Sequence, residues 1–60
     1  MKIFVIDDHP LMRDAVVMLF RRIAPEATIV ELDRLGPLQA KMQEFGQPDL
    51  ICLDLKLPDT

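Results

Sequence analysis

A chain of 60 residues with a net charge of −3, half of them hydrophobic, excludes a second domain, a disordered acidic tail and a basic nucleic-acid surface within these residues. So short a chain buries a small share of its surface and is marginal without a staple. Its one cysteine, Cys52, forbids an internal disulfide, and no cysteine/histidine cluster suits zinc.

Charges interrupt every apolar stretch, so no membrane span is expected. No basic region, long apolar run and small-residue cleavage site open the chain, so no secretory signal is read. A cytoplasmic, reduced setting is therefore expected, with Cys52 as a small core residue.

Lys2 to Ile6 is a β-type run ending on adjacent carboxylates, Asp7 and Asp8. Pro10 then opens a helix, with Asp8 or His9 as its cap and Asp14 in the first turns. Leu11, Met12, Ala15, Val16, Leu19, Phe20 and Ile23 recur at helical spacing, which predicts that this side faces a core. Arg13, Asp14, Val17, Met18 and Arg21 fall on the outward arc. Arg21 and Arg22 suit the negative end of the helix dipole, and Pro25 stops the helix.

Ala27 to Leu32 reads as a second strand, and Gly36-Pro37 opens a second helix. Leu38, Met42 and Phe45 share one of its faces, and Gly46 supplies a left-handed C-cap. Asp49 to Asp54, "DLICLD", is apolar at its four central residues without alternation. That pattern predicts a strand covered on both faces. "LKLPDT" closes the chain as a loop, with Asp59 as a turn residue.

The order β-α-β-α-β with short connections predicts an α/β fold with a parallel sheet. With the first strand between the other two, order 2-1-3, the carboxyl ends of strands one and three are neighbours. Asp7 and Asp8 then face Asp54 across the crevice where open parallel sheets bind ligands. Three carboxylates so placed cannot all stay charged without compensation: either their pKa values rise or a cation enters. Hard oxygen ligands suit magnesium. A carboxylate left uncommitted to the metal can attack phosphorus to form an aspartyl phosphate.

"VIDDHP", "DLICLDLKLPD" and the separation between them resemble the receiver domain of bacterial two-component response regulators. "DDHPLMRDAV" is most similar to the LuxR/NarL type, whose C-terminal half is a helix-turn-helix DNA-binding domain. The resemblance implies a flavodoxin-like, doubly wound sheet. It implies that Asp54 is the phosphoacceptor, that Asp8 binds Mg2+ directly and Asp7 largely through water, and that the Lys56 main-chain carbonyl completes the metal shell. Pro58 matches the proline that shapes the loop after the acceptor.

The same resemblance implies a sensor histidine kinase as partner, docking on the first helix near Val17 and Met18. DNA would be reached only through an output domain lying outside these residues. Receiver domains are about twice this long, near the ordinary domain size. Residues 1–60 are thus expected to be the N-terminal half of one, without its hydroxyl sensor and pairing lysine.

Rival readings fare less well. A haloacid-dehalogenase-like phosphatase wants a second aspartate two residues after its nucleophile, but His9 follows Asp7 and Lys56 follows Asp54 at that spacing. A pseudo-receiver acting only in association would not need the intact acidic triad. The chain is read as a signalling module and not an enzyme. His9 is read as a cap or surface group. The third strand lacks the charge or proline that blunts an open edge, so a homodimer or strand-swapped oligomer is expected.

Overall fold

The computed structural model describes residues 1–54. Lys56, Pro58 and Asp59, given roles above, lie outside the described residues. The elements are β1 (Lys2–Ile6), α1 (Pro10–Ile23), β2 (Thr28–Leu32), α2 (Leu38–Phe45) and β3 (Leu50–Leu53). The three strands form one parallel sheet in the order β2-β1-β3. This is the flavodoxin-like half expected from the alternation of elements.

β1 is central, so both of its faces are covered. Ile3 and Val5 point to the α1 side, where Val17, Val16, Phe20 and Cys52 pack on them. Phe4 and Ile6 point the other way, against Val30, Leu32, Leu38 and Met42. Period-two alternation along β1 thus feeds two core layers, one beneath each helix. Fully burying a side chain such as Phe4 or Ile6 contributes about 1.5–3 kcal/mol. Cys52 is half-buried with a free thiol, as a small core residue.

Backbone bonds extend both ladders past the strand ends. At the amino end, Thr28 N–H donates to the Met1 carbonyl at 2.8 Å and Asp49 N–H to that of Lys2 at 2.8 Å. Lys2 N–H returns a bond to Asp49 Oδ2 at 2.7 Å. At the carboxyl end, Asp7 N–H donates to Leu32 O at 3.0 Å and Asp54 N–H to Ile6 O at 2.9 Å. Gly46 caps α2 at φ +90°, the one positive φ among the described residues, a conformation that glycine adopts without a Cβ penalty.

The orientation of α1 differs from the expectation. Val17, placed on the outward arc, is 5% exposed in the core, whereas Leu11 and Leu19, placed inward, are 85% and 55% exposed. Met12 and Ile23 also face outward; Met18 is exposed as expected. The helix is apolar around most of its circumference, so two stripes competed, and the one beneath Ile3 and Val5 is Val16, Val17 and Phe20. His9 occupies the N-cap without a side-chain cap bond, and the first turn holds no acidic residue.

Two smaller corrections concern the rest of the fold. Phe45 is 38% exposed beside the Lys41 ammonium, 5.6 Å from its ring centroid, while from α2 Leu38 and Met42 reach the core. In β3, Leu50, Ile51 and Leu53 remain about two-fifths exposed, because β3 pairs with β1 alone among the described strands.

Candidate functional site

Each residue of the acidic cluster is delivered by the sheet. β1 ends at Ile6 and β3 at Leu53, and these two residues are register partners. The next residue on each chain, Asp7 and Asp54, therefore emerges at the same edge, with Asp8 one step further along. Asp7, Asp8, His9 and Asp54 each offer a ligand atom, and these atoms all lie within 4.8 Å of one another. The convergence of Asp7, Asp8 and Asp54 read from the strand order is present in the structure.

The β1–α1 turn is tied down by its own side chains. Asp7 Oδ1 accepts the backbone N–H of His9 at 2.8 Å, the local bond by which aspartate stabilises a turn two residues on. The Asp7 main-chain carbonyl accepts from Arg13 Nη1 at 2.8 Å, and Arg13 Nε donates to Glu31 Oε1 on β2 at 3.3 Å. Pro10 at the first helical position has no N–H to satisfy.

His9 has a place that its reading as a cap or surface group did not anticipate. Its Nδ1 stands 2.9 Å from Asp8 Oδ1, 3.3 Å from Asp7 Oδ1 and 3.6 Å from Asp54 Oδ2. When the imidazole is protonated, this places one positive charge among three carboxylates. Its side chain is 63% exposed, so water screens the attraction.

Asp8 Oδ1 is buried and has no hydrogen-bond partner among the described residues; His9 Nδ1 stands 2.9 Å away. A buried carboxylate oxygen without a donor is costly unless a cation serves it. The donor set is all hard oxygen apart from one imidazole nitrogen, which suits magnesium better than zinc. The residues present thus fit a divalent cation.

Arg13 is the other residue that sequence reasoning missed. It was placed on the outward arc, yet its side chain is only 20% exposed and reaches back over the turn. No sequence period signals a side chain that bonds a main-chain carbonyl. A cavity of about 340 Å³ lined by Met1 and residues 24–27 lies at the amino end of the sheet, away from this cluster.

A parallel sheet ordered β2-β1-β3 between two helices, with acidic side chains gathered at the carboxyl ends of β1 and β3, has the form of half a receiver fold. Over 56 residues, 93% of its length, the chain is 41% identical to the nitrate/nitrite response regulator protein NarL of Escherichia coli K12. The identity to NarL of Escherichia coli O6:H1 is the same. The chain is thus similar along nearly its whole length to the receiver half of a LuxR/NarL-type response regulator, as its two motifs implied. It spans 26% of the length of each of these relatives. No family model matches the chain. No solved structure matches it.

Proposed function

We propose that residues 1–60 are the N-terminal half of a receiver domain that accepts a phosphoryl group on Asp54 from a sensor histidine kinase. The observation carrying this reading is the convergence of Asp7, Asp8 and Asp54 at one sheet edge in a chain similar to a response regulator. In this reading Asp8 and Asp54 would hold Mg2+, with Asp7 acting largely through water, and the main-chain carbonyl that the resemblance assigns to Lys56 would be a further ligand. Bound there, the metal offsets carboxylate repulsion and the charge on the transferring group.

The chain's own residues do the rest. An Asp54 carboxylate oxygen forms the bond to phosphorus as the P–N bond to the donor imidazole breaks, and that bond's electron pair stays on the imidazole nitrogen. Asp7 accepts the His9 N–H through Oδ1, which holds its side chain at the turn. The module is a phosphoacceptor and not a turnover enzyme, works in the cytoplasm, and controls a helix-turn-helix output domain outside these residues.

Intact-mass analysis of the full chain after treatment with a small-molecule phosphodonor and Mg2+ tests the assignment. One added phosphoryl group is expected, absent in Asp54→Asn. Persistence of that mass in Asp54→Asn overturns it.

A further inference from the structure

We propose that Arg13 is a positioning residue of the acidic site: it fixes the peptide plane between Asp7 and Asp8, and so sets the position of the backbone from which the Asp8 carboxylate extends. The proposal rests on the reading of the cluster as a metal-binding site. Asp7 lies between two rigid peptide planes. The first, Ile6–Asp7, is held by β2 through Asp7 N–H to Leu32 O at 3.0 Å. The second, Asp7–Asp8, has its carbonyl held by Arg13 Nη1 at 2.8 Å. With both planes fixed, the Asp8 N and Cα are held in place, and the direction of its carboxylate depends only on Asp8's own φ and side-chain torsions.

Arg13 is itself held in place. Its backbone N–H donates to His9 O at 2.8 Å, and its Nε reaches Glu31 Oε1 at 3.3 Å. One planar fork therefore links α1, the β1–α1 turn and β2. A lysine ammonium, a point donor on a flexible stem, does not reproduce that geometry.

Charge and position make opposite demands, which gives the test a sign. A guanidinium near a cation site repels the cation, so on charge alone its removal tightens binding. Glu31 on the same fork offsets that charge. As a positioning residue, Arg13 must instead weaken binding when replaced, as loss of partners that orient metal ligands does.

The experiment is a Mg2+ titration of the full chain followed by amide resonances, for wild type, Arg13→Gln, Arg13→Lys and Glu31→Gln. Arg13→Gln and Arg13→Lys are expected to bind roughly tenfold more weakly, and Glu31→Gln to weaken binding by less. Without metal, the amides of Asp7, Asp8 and His9 should move in both Arg13 variants while those of α2 stay in place. Unchanged or tighter binding in a folded Arg13 variant overturns the proposal. A wild type that binds no Mg2+ overturns the reading of the site instead, and the metal-free shifts at residues 7–9 then decide the role of Arg13 by themselves.

Discussion

Asp54 donates its backbone N–H to the carbonyl of Ile6 at 2.9 Å, one residue beyond the end of β3. The bond carries the parallel ladder past the strands and sets Asp54 beside the turn bearing Asp7 and Asp8. The carboxylates meet because the backbone requires it. Their repulsion is tolerated there.

That arrangement makes the charge of Asp8 the quantity to remove. Asp8→Asn keeps the shape but takes one negative charge from the carboxylate whose Oδ1 has no hydrogen-bond partner among the described residues. Mg2+ affinity of the full chain should fall by roughly tenfold, about 1.4 kcal/mol, in calorimetric titration. Equal affinities would remove Asp8 from the metal shell.

The rotation of α1 can be tested by two truncations of opposite expectation. Val17 packs on Ile3 and Val5, and deleting its methyl groups should cost about 2 kcal/mol. Leu11 is 85% exposed, so Leu11→Ala in this 60-residue chain should stay within about 0.5 kcal/mol of wild type. Chemical denaturation reads both. If Leu11→Ala costs more than Val17→Ala, the helix face assigned here is wrong.

The exposed side of β3 leads to a third expectation. Leu50, Ile51 and Leu53 lie on a short apolar strand whose outer edge pairs with no other described strand. Such edges recruit a second chain unless charge blunts them. The 60-residue chain should therefore self-associate through β3, and Ile51→Lys should shift it toward monomer in sedimentation velocity. A wild type that stays monomeric at millimolar concentration would refute this.

The elements and their order were legible because punctuation is local. Pro10, Pro25, Gly46 and Pro48 mark boundaries, and the apolar runs between them are long enough to declare their type. The meeting of Asp7 and Asp8 with Asp54 followed from strand order alone. The facing of α1 was not legible, because apolar residues surround most of that helix and only the position of β1 selects Val17 over Leu11. Arg13 was hidden for a different reason: its partner is a main-chain carbonyl, which every residue has. His9 sits at the N-cap and on the surface as its place beside a helix start suggests, but nothing in the sequence shows its ring turning toward the carboxylates.

The clasp between Lys2 and Asp49, which exchange backbone and side-chain bonds across 47 positions of sequence, bears on the order of assembly. Closing so long a loop costs entropy before any contact rewards it. β1, α1 and β2 can associate as soon as they exist, with Asp7 and Asp8 already in their turn. Asp54 joins them only when nearly the whole stretch has been made and β3 has docked. A nascent or nicked chain lacking β3 would carry the acidic pair and a partial sheet but no complete triad, so competence for the proposed chemistry waits on the docking of β3.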